Sequence, residues 1–127
     1  FYCFSDISVI EGSEDITDVD HFFPHILKAR RIIPNLDGIW NLVLACKRCN
    51  RGIEGKSARI PALKFLERLN KRNEFFIQSH HPLRETLISQ TGIGRKERVD
   101  FLQYCYKEAK EHLLHNWTPA FENEPAF

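Results

Sequence analysis

The chain has 127 residues, of which 43% are hydrophobic and 28% charged, and its formal net charge at pH 7 is +1. That length fits one globular domain with a real core and excludes two full-sized domains. No stretch is long and apolar enough to span a bilayer and no basic-then-apolar leader opens the chain, so the sequence predicts a soluble, cytoplasmic protein with no membrane partner.

The start of the chain indicates a fragment. The chain opens on Phe1 and contains no methionine, so we do not expect residue 1 to be a translation start. We expect a domain cut from a longer protein, and other domains of that protein would then be partners.

The first half of the chain predicts two short strands separated by loops and turns. Residues 5–17 are polar and irregular, which is typical of a loop. Residues 19–23 predict a strand that ends at Pro24, because proline cannot donate to a central ladder. A helical turn or loop arm is predicted at residues 25–31, and residues 34–38 carry strong turn chemistry.

A second strand and a knuckle follow this turn. Residues 42–45 form a short apolar run that is compatible with a strand. Residues 46–50, Cys-Lys-Arg-Cys-Asn, predict a tight knuckle. The sequence therefore predicts a small β-hairpin with a knuckle behind it.

The apolar pattern changes to the period of helices after residue 60. Pro61 suits the first position of a helix and the apolar residues after it share one face, which predicts a helix over residues 61–72. Residues 74–77 either extend this helix or form a short strand. Pro82 opens a second predicted helix that runs to about residue 90, and Gly92 is a natural stop.

The longest predicted helix covers residues 95–115, where apolar residues recur at helical spacing. Cys105 falls on its apolar stripe and is predicted to lie in the core, because buried free cysteine behaves as a small hydrophobe. The tail, residues 117–127, is predicted to be irregular. Trp117 and Phe121 are expected to dock on the body of the protein.

Positive charge is concentrated in the middle of the chain. The segment from residue 47 to residue 72 contains nine lysines and arginines and only two glutamates. Such a basic segment suits a polyanionic partner such as nucleic acid, because phosphate contacts supply most non-specific affinity. A solvated helix face explains the same charges equally well.

Three of the four cysteines predict a zinc site. Cys46 and Cys49 form a Cys-x-x-Cys pair in a chain without a secretory signal, which favours metal binding over a disulfide. With Cys3 they supply three thiolates that one tetrahedral structural zinc could collect, since soft sulfur suits zinc. A fourth ligand is not identified, and a further cysteine three residues before Cys3 would complete the pattern. The alternative is a pair of reduced, buried thiols.

The dipeptide Asp20-His21 joins a metal ligand to a base. Histidine is the residue type that takes up a proton most readily near neutral pH, whereas the hard oxygens of aspartate suit Mg²⁺ or Mn²⁺. Adjacent residues of a regular strand point to opposite faces, so the two can share a site only at a strand end or bulge. The break at Pro24 is consistent with a strand end. In isolation the dipeptide favours an ordinary surface pair.

Two asparagines extend this dipeptide into an ordered motif. The motif consists of Asp20-His21, Asn41 and Cys46-x-x-Cys49-Asn50. It resembles the HNH (ββα-metal) endonuclease family, in an H-N-N version with a zinc knuckle, and the resemblance covers residues 3–56. It implies an α+β fold with a ββα-metal core at residues 1–60 and a helical extension at residues 61–127, packed together as one compact domain.

The resemblance also implies a role for each residue of the motif. His21 would be the general base that activates water for attack on the scissile phosphorus of DNA. Asn41 would orient its ring, with the backbone or side chain of Asn41 within about 3 Å of the imidazole. Asp20 and Asn50 would bind one catalytic Mg²⁺ or Mn²⁺ ion, with their oxygens converging on one point. The structural zinc would be held by Cys3, Cys46 and Cys49.

Two positions depart from the family pattern. Asn50 stands where many relatives have histidine, and a neutral amide binds metal more weakly. Ile53 occupies the spacing of a lysine that many relatives have, and Lys56 comes later. We therefore leave Lys56 outside the predicted site, although it could reach a phosphate.

The sequence leaves two other functions open. One is a non-catalytic zinc-binding DNA module, in which Asp20, His21 and Asn50 are structural and the basic segment contacts DNA. The other is a protein-interaction domain with a purely structural zinc. Salt-sensitive affinity for DNA distinguishes the second alternative from the other two functions.

Overall fold

The structure of the protein is a computed structural model that describes residues 1–123. Helices pack with two small sheets of two strands each, so the predicted α+β class is confirmed. Within the described part, none of the helices has the length and apolar character that crossing a bilayer requires. The end of the predicted irregular tail, residues 124–127, lies outside the described residues.

The first sheet is an antiparallel hairpin that ends at the candidate base. Strand β1, Asp18–His21, pairs with strand β2, Leu42–Ala45. The predicted bounds of β2 are confirmed, whereas β1 begins at residue 18 and ends at residue 21 instead of spanning 19–23. The strand ends early because Phe22 and Phe23 turn into the core, where both are fully buried. His21 is therefore the last residue of its strand.

The connection between β1 and β2 contains two 3₁₀ helices, His25–Arg30 and Ile39–Asn41. The predicted helical turn corresponds to the first of them. Arg72, in the second half of the chain, donates hydrogen bonds from its guanidinium to three backbone carbonyls, those of Ile39, Trp40 and Leu42. These bonds fasten the connection to the helical half of the protein.

The α-helices are α1 at Lys47–Asn50, α2 at Leu63–Gln78, α3 at Arg84–Thr91 and α4 at Arg95–His112. Helix α2 continues through residues 74–77, so the helical alternative for that segment is confirmed. Helix α3 begins two residues after Pro82, which was predicted to open it, and ends at Thr91, with Gly92 as the predicted stop. Helix α4 ends three residues before the predicted residue 115, because the backbone becomes extended at Leu113 on its way into a strand.

The prediction that Pro61 opens a helix is wrong. Pro61 and Ile60 form strand β3, Ile60–Pro61, which pairs in parallel with strand β4, Asn116–Trp117. The carbonyl of Pro61 accepts a hydrogen bond from the Tyr106 hydroxyl at 3.0 Å. A tertiary partner from the end of the chain thus overrides the local preference of proline for a helix start. Strand β3 also spans the predicted domain boundary after residue 60, and that division stays a prediction.

An aromatic cluster joins the two ends of the described chain. The ring of Trp117 lies 5.0 Å from that of Tyr2 and 6.3 Å from that of Phe65, measured between centroids. Its Nε1–H donates to the carbonyl of Glu54 at 2.8 Å. The predicted docking of Trp117 is therefore confirmed. Cys105 is also buried as predicted, and burial raises the pKa of its thiol to about 12.

Candidate functional site

An open cleft of about 210 Å³ lies at the end of the hairpin. Asp20 and His21 reach it from β1, and Asn50 reaches it from the end of α1. His25, from the first 3₁₀ helix, lines the same cleft. The structure therefore brings three residues of the predicted site together, although they are up to 30 positions apart in the chain.

The alternation of β1 decides which way each side chain faces. Asp18 and Asp20 are buried, whereas Val19 is exposed and His21 is half-buried. Asp20 and His21 thus belong to opposite faces, as expected for adjacent strand residues. They still line one cleft because the strand ends at His21, so the imidazole lies at the edge of the sheet.

Asp20 is held in a buried network of three side chains. Its Oδ2 accepts a hydrogen bond from the Tyr2 hydroxyl at 2.6 Å, and its Oδ1 accepts one from the Lys56 ammonium at 3.3 Å. Burial raises the pKa of the Asp20 carboxyl, and the neighbouring Lys56 opposes this shift. The carboxylate is therefore fixed in position before any ligand arrives.

Lys56 is a member of the site that sequence reasoning left out. It is fully buried, and its ammonium donates to the backbone carbonyl of His21 at 2.7 Å as well as to Asp20. Burial lowers the pKa of its ammonium, and the Asp20 carboxylate opposes this effect. Lys56 thus ties together the backbone of one predicted site residue and the side chain of another. Its contacts span 35 and 36 positions in the chain, so no local spacing could have identified them.

Asn50 is oriented by a second acidic residue. Its Nδ2 donates to Asp18 Oδ2 at 2.9 Å. The guanidinium of Arg51 donates hydrogen bonds to both oxygens of the same carboxylate. Burial alone would raise the pKa of Asp18, but the hydrogen bonds from Arg51 and Asn50 outweigh it, and the pKa lies below its ordinary value. Because the amide nitrogen is engaged, Oδ1 is the Asn50 atom left to bind a ligand.

The oxygen donors of this cleft fit a hard divalent cation in their chemistry. A carboxylate has about four lone-pair sites, so after accepting from Tyr2 and Lys56 the Asp20 carboxylate still has lone pairs that can bind a cation. Carboxylate and amide oxygens are suitable ligands for Mg²⁺ or Mn²⁺. The ammonium of Lys56 adds a positive charge beside Asp20, which opposes cation binding. Asp20 and Asn50 are thus the residues that would hold such an ion, against a local electrostatic cost.

The ring of His21 is held by a residue that sequence reasoning did not select. Its Nε2 lies 2.9 Å from Asp37 Oδ1, and the other carboxylate oxygen of Asp37 accepts from Lys28 Nζ at 2.5 Å. Asn41, whose backbone or side chain was expected to hold this ring, uses its side chain elsewhere, and its backbone carbonyl accepts from the amide of Phe22 at 2.8 Å. The ring of His25 lies 5.3 Å from that of His21, measured between centroids.

Asn41 instead braces the backbone of the connection. It is fully buried, its Oδ1 accepts from the amide of Phe23, and its Nδ2 donates to the carbonyls of Phe23 and Leu36. The three distances are 2.8, 3.1 and 2.8 Å. One side chain therefore links the segment just after His21 to the turn that carries Asp37.

Replacing Asn41 with alanine is expected to lower the free energy of unfolding by about 2–4 kcal/mol, because three hydrogen bonds are lost and buried polar groups are left unpaired. Urea denaturation of the full chain measures this change. Asn70, half-buried on α2, is the control, and its replacement by alanine should change stability by about 0.5 kcal/mol or less. Equal effects of the two substitutions would contradict the bracing role.

The three predicted zinc ligands lie together. The sulfur atoms of Cys3, Cys46 and Cys49 are all within 4.8 Å of one another. Cys46 directly precedes α1 and Cys49 lies within it, while Cys3 comes from the start of the chain. All three are free thiols. Their spacing and their soft ligand atoms fit one zinc ion and provide three of the four ligands of a tetrahedral site.

The thiols differ in their surroundings. Burial raises the pKa of the Cys49 thiol above its ordinary value. Burial acts on Cys3 in the same direction, but hydrogen bonds from Ser5 and the other two cysteines outweigh it and lower the pKa of that thiol. The Cys3 sulfur lies 3.0 Å from the Ser5 hydroxyl and 3.6 Å from the Cys46 sulfur. The group is therefore a candidate metal centre separate from the cleft.

Comparison of the chain with protein-family models, with curated proteins and with solved structures found no match. What the protein does must therefore be argued from the chemistry of the cleft and of the cysteine group. Both features lie in the first half of the chain, and α1 contributes a residue to each of them.

Proposed function

We propose that this protein is a metal-dependent endonuclease of the HNH (ββα-metal) type that hydrolyses phosphodiester bonds in DNA. The observation that carries the proposal is the convergence of Asp20, His21 and Asn50 on one cleft. Along the chain, β1, β2 and α1 follow in the element order of a ββα-metal core, and β1 and α1 supply the three residues of the cleft. The cysteine group beside α1 supports the same assignment as its zinc knuckle.

In the proposed reaction the imidazole of His21 takes a proton from a water molecule as the water oxygen bonds to phosphorus. The bond between phosphorus and the 3′-oxygen breaks, and this oxygen takes a proton from solvent water, which leaves a 5′-phosphate and a 3′-hydroxyl. A divalent ion bound by Asp20 and Asn50 would neutralise charge that develops on the phosphate and the leaving oxygen. Lys56 keeps the Asp20 carboxylate and the His21 backbone in a constant relation.

Fewer cations are available to contact DNA than the basic segment at residues 47–72 indicated. Lys56 is fully buried, and Arg68 and Arg72 are half-buried with their guanidinium groups bound to backbone carbonyls. Lys47 remains exposed there. Arg30 and Arg31, at the end of the 3₁₀ helix that lines the cleft, are exposed as well. We assign the phosphate contacts to these exposed residues, because buried cations cannot release counterions from DNA.

A second candidate function is a non-catalytic zinc-binding DNA module. The observation that favours it is the ion pair between Lys56 and Asp20, since an ammonium already neutralises the carboxylate that should bind a cation. In that reading the cleft is a structural network. We propose the cytoplasm as the setting for both functions, because reduced thiols persist there.

The two functions are separated by incubating the zinc-loaded full chain with supercoiled plasmid and Mg²⁺, Mn²⁺ or Ni²⁺. We expect nicked or linear products with at least one added ion and none without an added ion. DNA binding that weakens with salt, without cleavage in any of the three ions, would favour the module. An absence of salt-sensitive binding would instead indicate a protein-interaction domain.

A further inference from the structure

We propose that Asp37 is the residue that orients the imidazole of the general base, an inference that rests on the proposed nuclease function of the cleft. His21 Nε2 lies 2.9 Å from Asp37 Oδ1. An ionised carboxylate only accepts hydrogen bonds, so Nε2 of a neutral imidazole must carry the proton in this contact. The lone pair is then on Nδ1, which is the ring nitrogen left to take a proton from water.

The conformation of Asp37 is itself held from two sides. Its second oxygen accepts from Lys28 Nζ at 2.5 Å, and the preceding residue, Leu36, is tied by its carbonyl to Asn41 Nδ2 at 2.8 Å. The hydrogen bonds from Lys28 and His21 hold the pKa of the Asp37 carboxyl below its ordinary value. Asp37 is therefore an ionised acceptor at neutral pH.

The orienting function is thus divided between two residues. Asn41 holds the backbone on both sides of the contact, at Phe23 and Leu36, whereas Asp37 touches the ring. Asp37 does not line the cleft, so it acts through His21 and is a positioning residue. The side chain of Asp37 is half-exposed, with 51% of its surface accessible, so its replacement removes little packing.

The test is the substitution Asp37→Asn in the zinc-loaded full chain. The amide group of asparagine can donate to Nε2, which favours the imidazole form protonated on Nδ1 and removes the lone pair from the side that should face water. We expect kcat for a labelled duplex to fall about 10- to 100-fold with KM unchanged, in the range found for groups that orient a working residue. In a His21→Ala background the same substitution should have no further effect.

The matched control is Asp100→Asn. Asp100 also forms an exposed ion pair, with Lys96 at 2.8 Å, but on α4. Its substitution should leave kcat unchanged. An Asp37→Asn variant as active as the control would overturn the inference, and so would a loss of activity that persists in the His21→Ala background.

A second readout does not depend on activity. Nitrogen-15 NMR of the histidine rings in the zinc-loaded protein without added divalent ion should show His21 protonated on Nε2, and Asp37→Asn should shift it toward the Nδ1-protonated form. An unchanged tautomer would overturn the orienting role. If the parent protein shows no cleavage but the tautomer shifts, the proposed function fails while the ring contact holds.

Discussion

Replacement of His21 by alanine is expected to lower the rate of DNA cleavage by about 10²- to 10⁴-fold, the usual contribution of a general base. Affinity for DNA should be unchanged, because a general base acts as a neutral imidazole, and a neutral imidazole has no charge that attracts phosphate. The side chain is half-buried at a strand end and leaves no enclosed cavity. Single-turnover cleavage of a labelled duplex, with binding measured separately, checks both expectations.

His112→Ala is the matched control for this experiment. His112 lies at the end of α4, where its Nδ1 meets the carbonyl of Glu108 at 3.0 Å. Its replacement removes an imidazole without touching the cleft, so cleavage should stay at the parental rate. A His21→Ala variant that cuts DNA as fast as this control would show that another group activates the water.

Removal of zinc is expected to have the largest effect on stability. Cys3, Cys46 and Cys49 come from two segments that are 43 positions apart, and an ion held by all three would join them. Structural zinc contributes about 10 kcal/mol or more in small metal-dependent folds, so we expect a loss of at least several kcal/mol here. Chemical denaturation with and without a chelator measures this loss, and elemental analysis should find one zinc per chain before chelation.

The loss of zinc is also expected to disturb the hydrogen bonds of Asp20 in the cleft. Tyr2 directly precedes Cys3 and donates the 2.6 Å hydrogen bond to Asp20. Release of Cys3 would remove one restraint on Tyr2 and so weaken its hydrogen bond to Asp20. We therefore expect a Cys46→Ser variant to lose both its zinc and its cleavage activity.

Cys105→Ala is the control for the zinc experiments. Cys105 is fully buried on α4, outside the cysteine group. Its replacement should cost about 1 kcal/mol of packing and leave the zinc content at one ion per chain. A Cys46→Ser variant that retains zinc and parental stability would contradict the assignment of the cysteine group as a structural metal centre.

Features carried by a single local signal could be predicted from the sequence. The apolar run of β2 has the predicted bounds, because a short apolar segment between turn residues has few alternatives to a buried strand. Gly92 ends α3, because glycine readily adopts the backbone conformation with positive φ found there. The ordered motif also singled out Asp20, His21 and Asn50, and all three line one cleft.

Contacts between distant segments were decided only by the tertiary structure. Pro61 has the local signature of a helix start, yet it pairs with Trp117 because the strand partner arrives from the far end of the chain. Lys56 and Asp37 contact His21 across 35 and 16 positions. Side-chain type and spacing encode which groups can do chemistry, but a hydrogen-bond partner depends on which segments the core brings within 3 Å, and no local pattern records that distance.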